Sequence, residues 1–455
     1  MSGALIERSV GQALAWPGAL SPDVAAKAKL CLADALRCMF EARDLPTSRQ
    51  ALGVVNPLKD GVPVAATDVF ATPAEAAFAM ATMSAGLLRE DMHAASISHH
   101  GIVVWPALLA LAHGADVSGA RLLAAGVVGY EFGARLGAAL FDADLARRLR
   151  PTAFSATAGA AMGGAWLLGL CAREAIVAVA LAVDASSGLN QWPHSGGDEI
   201  FFQAGRAAQN AVQAIALARA GAFASPAMLD GPAGLFAAAG RKAPDDLCLF
   251  SGEPEILEVY NKALQICNFA QTAAQAALAV ARQPGFSPAA VQALTVAVTE
   301  AAAAYPGCDY AGPCDRPLQA KMSIPFCVAA ALVHGDLKEQ RFHGLGDPAV
   351  ARLSALCALE TDPALTAAFP ARQGARVEAR LTSGEVLTAS FTDVTPAAPG
   401  QIRQGLLASA GQASGSALLQ LIDQLDGAPD AAVLLAAAHS GPPQSAAGPP
   451  RRVIR

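Results

Sequence analysis

Residues 89–106 read R-E-D-M-H-A-A-S-I-S-H-H-G-I-V-V-W-P, and the apolar segments on either side of them indicate the fold class. Three of the eight histidines of the chain lie here, at His93, His99 and His100. The acidic residues Glu90 and Asp91 directly precede them. Histidine exchanges a proton near neutral pH, and a neighbouring carboxylate can fix its tautomer. The stretch is therefore the first candidate for a catalytic site.

Two apolar segments flank this polar cluster. One helix is predicted to end near Leu88, and another to begin near Pro106 within the apolar run 102–112. Loops held by a rigid scaffold often carry catalytic groups. We therefore predict that the histidines lie on a loop between two buried helices.

Two other interpretations of the cluster stay open. The polar residues can simply cap helices and solvate the loop, because catalysis requires a geometry that sequence does not give. The pattern D-x-H followed by H-H also offers metal ligands, but its spacing matches no closed zinc site. We accordingly expect no metal at this site.

The composition excludes several classes of protein. A chain of 455 residues is too long for one ordinary core, so two domains are predicted. Hydrophobic residues make up 53% and charged residues 15%, which favours alanine-rich helices packed on all sides. The net charge is −6 and no basic run occurs before the last few residues, which argues against a nucleic-acid partner.

The cysteines and the N-terminus indicate the compartment. The nine cysteines include no C-x-x-C pair, which argues against zinc fingers and iron–sulfur clusters, and their odd number favours reduced thiols. The N-terminus lacks the basic and apolar regions of a secretion signal. We therefore expect a cytoplasmic protein.

One segment is a candidate for a membrane span. Residues 151–172 carry no charge and follow the basic sequence R-R-L-R. Much of the segment is Ala, Gly, Ser and Thr, which pack against other helices better than they partition into lipid. A buried helix is therefore predicted, in which Gly159 and Gly163 allow close helix packing. We expect no membrane partner.

Helix signals recur through the first 250 residues. The segments 21–23 (S-P-D) and 72–75 (T-P-A-E) each combine an N-cap, a proline at the first helical position and an acidic first turn. Ser118 caps a further predicted helix, whereas 53–68 and 141–150 are interpreted as connections. Long helices are predicted at 153–168, 172–187 and 205–220. Residues 1–250 are therefore predicted to form a large all-α domain.

The pattern changes near Ser251, where β-branched alternation begins to mix with helices. The predicted elements are a helix from Lys262 to Ala281, a strand at 291–299, helices at 323–334 and 347–358, and a hairpin at 376–393. Residues 251–395 are predicted as a smaller α+β domain. Residues 396–440 return to helix and pack on the first domain, and residues 441–455 are predicted to be a disordered tail. The predicted fold class is mainly α.

Several short motifs follow one another in a specific order along residues 5–400. They are E-D-M-H at 90–93, H-H-G at 99–101, P-A-L-L-A-L at 106–111, G-Y-E at 129–131 with Arg135, R-L-R-P-T at 148–152, L-L-G-L at 167–170, A-G-R-A-A-Q-N-A at 204–211, Lys262, D-R-P at 315–317 and A-K-M-S at 320–323. In this order and spacing they resemble the MmgE/PrpD superfamily. Its members include 2-methylcitrate dehydratase, cis-aconitate decarboxylase and iminodisuccinate epimerase.

The resemblance implies an architecture and a mode of action. It implies a helical domain built from the N-terminal part and the C-terminal helices, with the α+β domain inserted between them as a lid. It also implies a homodimer that uses no cofactor, with the active site between the helical domain and the lid. The substrate is then a small carboxylate.

The resemblance further implies which residues form the site. The residues kept at matching positions are Asp91, His93, His99, Thr152, Lys262, Arg316 and Lys321. We expect His99 and Lys262 to transfer protons, with Asp91 orienting a histidine. The residues expected to bind substrate are His93, Arg150, Thr152, Arg316 and Lys321.

Some positions depart from the family pattern. Leu88 replaces the opening aspartate of D-x-D-D-T, and Met92 replaces the threonine of D-D-T-H. Ile200 and Gln203 replace the lysine and histidine of K-x-x-H-x-G, and Arg150 replaces the histidine of G-F-H-P-T. Arginine stays charged and holds carboxylates through a fork of N–H groups. We therefore predict that Arg150 is an anion clamp and that the reaction differs from methylcitrate dehydration.

Three functions are compatible with these residues. Removing a proton next to a carboxylate needs a base, and it needs cations that stabilise the enolate-like charge. The first function is a lyase of the dehydratase type that acts on a small di- or tricarboxylate. The second is an epimerase or isomerase of a small dicarboxylate, and the third is a non-catalytic relative that binds carboxylates.

Overall fold

The computed structural model describes residues 4–439, and the N-terminal part of this range is built from helices. They are α1 (Leu5–Ala15), α2 (Pro22–Ala42), α3 (Pro46–Gly53), α4 (Pro73–Ala85), α5 (Gly101–Ala112), α6 (Gly119–Leu140), α7 (Ala143–Arg148), α8 (Pro151–Leu167), α9 (Ala172–Asp184), α10 (Trp192–Ser195), α11 (Glu199–Arg219) and α12 (Leu235–Ala238). The three predicted N-caps, Ser21, Thr72 and Ser118, each accept a hydrogen bond from a first-turn N–H of α2, α4 and α6.

Helix α8 lies at the centre of this helical part and contacts α5, α6, α9 and α11. It approaches α6 so closely that a Cβ on Gly159 would meet the Gly129 carbonyl oxygen, and one on Gly163 would lie 2.7 Å from the Ala125 carbonyl oxygen. The predicted close packing at these glycines is therefore confirmed. No helix within residues 4–439 is long and apolar enough to cross a membrane.

Some helices differ from the sequence prediction. Helix α11 begins at Glu199, six residues before the predicted start at 205. Helix α5 begins at Gly101, so Pro106 lies inside it and not at its start. Proline in a helix interior removes one backbone hydrogen bond, but nearly every residue of α5 is buried, and this burial outweighs the loss. The segment 141–150 was predicted as a connection, yet it contains the short helix α7, which Asp142 caps.

The strands within residues 4–439 form two short antiparallel pairs and one four-stranded sheet. They are β1 (Val62–Pro63), β2 (Phe70–Ala71), β3 (Asp91–His93), β4 (Val259–Asn261), β5 (Val291–Val298), β6 (Cys357–Thr361), β7 (Ala375–Leu381) and β8 (Val386–Phe391). The larger sheet has the order β6-β5-β7-β8, with β5 and β6 parallel and the other neighbours antiparallel. The predicted strand at 291–299 and the predicted hairpin are confirmed, whereas the sequence analysis predicts none of β1, β2, β3, β4 and β6.

Helices surround this sheet and continue to the end of the described range. They are α13 (Gln271–Ala281), α14 (Glu300–Ala304), α15 (Pro317–Met322), α16 (Ile324–His334), α17 (Pro348–Leu356), α18 (Pro363–Ala368), α19 (Pro399–Ala410), α20 (Gln412–Asp423) and α21 (Ala432–His439). The prediction that Lys262 leads a helix is wrong. Lys262 directly follows β4, and α13 begins only at Gln271, whose side chain hydrogen-bonds the backbone of the intervening segment at Leu264 and Ile266.

The C-terminal helices contact the N-terminal ones. Helices α19 and α20 pack on α2, and α21 packs on α5 and β1. The Gly119 N–H at the start of α6 donates to the Ala428 carbonyl at 2.9 Å, which fixes the connection before α21. The division into a helical domain and an inserted lid stays a prediction. The predicted disordered tail at 441–455 lies outside the described residues.

Candidate active site

A two-stranded ladder brings the acidic stretch next to Lys262. Strands β3 and β4 pair antiparallel, with Asp91 opposite Asn261 and Met92 opposite Tyr260. One step beyond this pairing, the same register places Glu90 opposite Lys262. Side chains alternate between the two faces of a strand. The Glu90 and Met92 side chains accordingly line one cavity, while Asp91 and His93 are buried away from it.

A tight turn then returns the chain to the same cavity. His93 and Ser98 exchange backbone hydrogen bonds of 2.9 and 3.2 Å, which close the turn between them. The next residue, His99, donates its backbone N–H to Thr152 Oγ1 at 3.1 Å. Thr152 lies in the first turn of α8, so the start of the central helix fixes the position of the histidine.

The hydrogen bonds of His99 determine its tautomer. Its Nδ1 lies 2.6 Å from the carbonyl oxygen of Asp91, and a carbonyl oxygen only accepts hydrogen bonds. Nδ1 therefore carries the proton, and the unprotonated Nε2 is directed toward Glu90, whose Oε1 lies 3.7 Å away. Burial lowers the pKa of His99 to about 4, although the Glu90 carboxylate opposes this shift. His99 is therefore a neutral imidazole with a free Nε2 lone pair at neutral pH.

Glu90 connects the imidazole to the ammonium group of Lys262. Its Oε1 lies 3.5 Å from Lys262 Nζ, and the two side chains are only 2% and 1% exposed. Burial raises the pKa of Glu90, but the Lys262 ammonium, with smaller contributions from a backbone hydrogen bond and from Arg150, outweighs burial, and the pKa ends below its ordinary value. The pair is therefore a buried ion pair, because Glu90 stays ionised.

Arg150 adds a second buried cation. One of its terminal nitrogens, Nη1, donates to the Ile200 carbonyl, whereas Nη2 has no hydrogen-bond partner among residues 4–439. Burial lowers the pKa of Arg150 and the Glu90 carboxylate opposes this effect. Arginine has an intrinsic pKa far above neutrality and keeps its charge. The Nη2 group is therefore a charged donor in the cavity wall that protein atoms leave unpaired.

All of these groups line one small cavity of about 40 Å³. It is lined by Leu88, Glu90, Met92, Ile97, His99, Arg150, Pro151, Thr152, Trp192, Ile200, Lys262, Cys267, Asn268, Phe269, Tyr305 and Met322. This volume is sufficient for one to a few water molecules. A substrate must therefore be small, or the walls must move to admit it.

Backbone strain is found at the same cavity. Leu88 and Ile97 both have a positive φ, of 56° and 51°, and neither residue type adopts this conformation readily. Each left-handed residue costs roughly 1–2 kcal/mol. Strained backbone of this kind clusters at functional sites, where the surrounding structure holds it in place.

Two of the predicted site residues lie behind the cavity wall. The Asp91 carboxylate accepts hydrogen bonds from Tyr130 and from the N–H of Gly101 at the start of α5. It therefore caps the helix, and it is the Asp91 carbonyl that orients His99. His93 lies 2.9 Å from Ser96 Oγ through Nδ1 and 2.9 Å from Glu255 through Nε2.

Arg316 and Lys321 also lie outside the set of cavity-lining residues. Arg316 is half exposed, donates to the Gly196 carbonyl at 2.7 Å and pairs with Asp198 at 3.1 Å. Lys321 is buried and pairs with Glu339 at 2.6 Å. The structure thus brings together His99, Lys262, Arg150 and Thr152, and the roles predicted for the other four residues stay predictions.

Glu90 is the residue that the sequence analysis missed. Of the two acidic residues ahead of the histidines, the family resemblance points to Asp91. The signal that could have identified it is strand alternation, because Glu90 and Met92 are two apart and share a face. Four of the five substituted positions, Leu88, Met92, Arg150 and Ile200, line the cavity, whereas Gln203 does not.

Comparison with known proteins identifies the family. The chain matches the MmgE/PrpD N-terminal domain over residues 17–247 and the MmgE/PrpD C-terminal domain over residues 266–396. It therefore belongs to the MmgE/PrpD family, whose members are mostly dehydratases and decarboxylases.

A more specific relative covers a smaller part of the chain. A cis-aconitate decarboxylase-like protein, oryM, from Aspergillus oryzae is 30% identical to this chain over 186 residues. The matched stretch is 38% of this chain and 38% of the relative. The chain thus matches little more than a third of the length of that protein.

Proposed function

We propose that the protein is a lyase that removes a proton next to a carboxylate of a small organic acid, with His99 as the base. One observation carries the proposal. A neutral imidazole with its free Nε2 lies in the same cavity as the unpaired Arg150 nitrogen and the Lys262 ammonium. A base next to two cations is what abstraction of an α-proton requires. The membership of the MmgE/PrpD family supports the same reaction class.

In the proposed reaction, His99 Nε2 takes the α-proton and the C–H electron pair moves toward the carboxylate. Arg150 and Lys262 hold the negative charge that develops on the carboxylate oxygens. The electron pair then forms the C=C bond as the β-hydroxyl leaves, and Lys262 gives the hydroxyl a proton, so that water departs. Glu90, at 3.7 Å from His99 and 3.5 Å from Lys262, returns the proton from the imidazolium to the lysine.

An isomerase or epimerase is the second candidate. It needs only removal and return of one proton, with no acid for a leaving group. The apolar residues Leu88 and Ile200 in the cavity wall favour it, because they offer no proton to a leaving group. A non-catalytic carboxylate-binding relative is the third candidate. We further propose that the protein is a homodimer without a cofactor, as the family resemblance implies. We also propose that it is cytoplasmic, because the odd number of cysteines favours reduced thiols.

Proton exchange in deuterated water tests the reaction class. The full chain is incubated with citrate, methylcitrate, cis-aconitate and iminodisuccinate analogues and followed by NMR. Loss of water supports the lyase, and deuterium uptake without net turnover supports the isomerase. No exchange on any acid that binds would support the binding protein and contradict both enzymes.

The His99→Gln variant tests the assigned base. Removing a general base costs about 10²–10⁴-fold in rate, so exchange should fall by at least 100-fold while acid binding is retained. In the unmodified protein the rate should rise through about pH 4, where His99 loses its proton, and stay level above it. His194→Gln, an exposed histidine in α10, is the matched control and should leave the rate unchanged. If His99→Gln and His194→Gln exchanged protons at the same rate, the base would be a residue other than His99.

A further inference from the structure

Two buried cysteines lie at the cavity and take no part in the proposed proton transfer. Cys267 is one of the lining residues and is 5% exposed, and Cys308 is 0% exposed. Their Sγ atoms lie 3.8 Å apart, although 41 positions separate the two residues in the chain. The two sulfur atoms of a disulfide are about 2.05 Å apart. Modest side-chain rotations would therefore bring these two thiols to bonding distance.

The surroundings of Cys267 favour its thiolate form. Its strongest interaction is the hydrogen bond with the Cys308 thiol, which lowers the pKa of Cys267. Burial raises this pKa, but the backbone N–H groups of Phe269 and Ala270 and the Lys262 ammonium lower it further. The pKa of Cys267 therefore lies below its ordinary value. The thiolate is the nucleophilic form of cysteine, so Cys267 is the more reactive of the two sulfurs.

Cys308 is instead kept as a thiol. Burial raises its pKa well above the ordinary value, and the neighbouring Cys267 raises it further. Cys327 is also buried nearby, but its Sγ donates to the Ala320 carbonyl at 3.3 Å and it lies outside the set of residues that line the cavity. The pair thus consists of one sulfur that a small molecule in the cavity can contact and one protonated sulfur directly next to it.

We propose that Cys267 and Cys308 form an oxidation site for hydrogen peroxide or another small hydroperoxide that enters the cavity. A cavity of about 40 Å³ is sufficient for one to a few water molecules, and hydrogen peroxide is of comparable size. Oxidation converts the pair into a Cys267–Cys308 disulfide, which a thiol reductant reverses. Because neither sulfur transfers the substrate proton, the site can be tested whether or not the protein is a lyase.

The oxidation takes place in two steps. The Cys267 thiolate attacks a peroxide oxygen, so that an S–O bond forms and the O–O bond breaks, and the hydroxide that leaves takes up a proton as water. The Cys308 sulfur then attacks the sulfur of this sulfenic acid, so that an S–S bond forms and the S–O bond breaks. The departing hydroxide takes the Cys308 proton and leaves as a second water. The two sulfurs lose two electrons in total, and hydrogen peroxide is reduced to two water molecules.

Peptide mapping by mass spectrometry tests the site. The full reduced chain is treated with hydrogen peroxide under conditions in which circular dichroism shows it folded, and it is then digested without reductant. We expect a linked peptide pair containing Cys267 and Cys308 that disappears after treatment with dithiothreitol. Cys327 should be oxidised about tenfold or more slowly, because burial raises the pKa of its thiol. Oxidation of Cys267 no faster than that of Cys327, or no disulfide between Cys267 and Cys308, would overturn the proposal.

Two variants separate the roles of the two sulfurs. Cys308→Ser keeps a hydroxyl donor next to Cys267 but removes the second sulfur, so Cys267 should stop at the sulfenic acid, which dimedone traps. Cys327→Ser is the matched control and should form the disulfide at the rate of the unmodified chain. A dimedone adduct as abundant in the unmodified chain as in Cys308→Ser would contradict the role of Cys308. If Cys308→Ser does not fold, the peptide map of the unmodified chain still decides the proposal.

A bulky hydroperoxide tests the route through the cavity. Cumene hydroperoxide is too large for a cavity of about 40 Å³, whereas Cys171 is exposed on the surface. The rate of oxidation by hydrogen peroxide, divided by the rate with cumene hydroperoxide, should be about tenfold or more higher at Cys267 than at Cys171. Equal ratios at the two cysteines would mean that peroxide reaches Cys267 by another route, and would overturn the proposal.

Discussion

Replacing Lys262 by methionine tests the buried ion pair at the centre of the proposed site. Methionine is unbranched and apolar, and it fills much of the volume of the lysine side chain without its charge. The change removes the Nζ contact with Glu90 at 3.5 Å and the hydrogen bond to the Ile266 carbonyl at 3.2 Å. Glu90 is then a carboxylate, 2% exposed, without its nearest cation.

The expected loss of stability follows from this burial. Removing one partner of a buried ion pair costs about 3–5 kcal/mol, because the other charge is left uncompensated. Replacing both partners by neutral side chains is often close to neutral. We therefore expect Lys262→Met to lower the free energy of unfolding by about 3–5 kcal/mol, and the double variant with Glu90→Gln to recover most of this loss.

The sign of the pH dependence follows from the pKa of Glu90. In the unmodified protein this pKa is lowered on folding, so Glu90 adds stability above its unfolded pKa and loses it as the pH falls through the folded pKa. Without Lys262, we expect burial to outweigh the remaining contribution of Arg150 and to raise the folded pKa of Glu90 above its ordinary value. The variant then loses stability as the pH rises from the ordinary pKa of Glu90 to its raised folded pKa. The difference between the two proteins should therefore be largest near pH 7 and smallest in acid.

Urea unfolding followed by circular dichroism measures this cycle at neutral and acidic pH. The four proteins are the unmodified chain, the two single variants and the double variant. If Lys262→Met lowered the free energy of unfolding by less than about 1 kcal/mol, the pair would contribute no more than an exposed ion pair does. This result would refute the argument from burial. Additive effects of the two substitutions would refute it as well, since interacting residues give non-additive effects.

Two further predictions concern residues on either side of the cavity wall. Burial raises the pKa of Asp91 to about 7 on folding, opposed by hydrogen bonds from Tyr130 and Gly101, so its contribution to stability is lost as the pH rises from about 4 to 7. Asp91→Asn should therefore flatten the pH dependence of the unfolding free energy over this range, and an unchanged slope would contradict the raised pKa. Arg150→His should weaken carboxylate binding by at least tenfold, whereas the exposed Arg206→His should not, and equal affinities in calorimetric titrations would remove the anion clamp.

The helices were the part of the fold that the sequence could predict. The N-caps at Ser21, Thr72 and Ser118 are local signals, because each side chain accepts from an N–H only three residues away. The hairpin at 376–393 is local in the same sense. These elements form their backbone hydrogen bonds internally, so their local sequence is sufficient to identify them.

The pair β3–β4 could not be predicted in the same way. Its strands are three residues each, and they lie far apart in the chain. So short a strand shows no recognisable alternation, and its hydrogen bonds exist only when the partner arrives. Lys262 was therefore interpreted as the start of an alanine-rich helix, because the residues that follow it have that composition. The contact with Glu90 depends on this long-range pairing and on nothing local.

The functional segment can be identified from the sequence, but the choice between its two adjacent carboxylates, Glu90 and Asp91, cannot. Adjacent residues of a strand point to opposite faces, so only one of two neighbouring carboxylates can enter the cavity. Because Asp91 pairs with Asn261, Glu90 is aligned with Lys262, and its carboxylate lies between that ammonium and the His99 ring. If β4 were shifted by one residue relative to β3, the side chains of β4 would point to the opposite face of the ladder. Lys262 would then face away from Glu90. The register of six residues in two strands therefore determines which carboxylate faces the base.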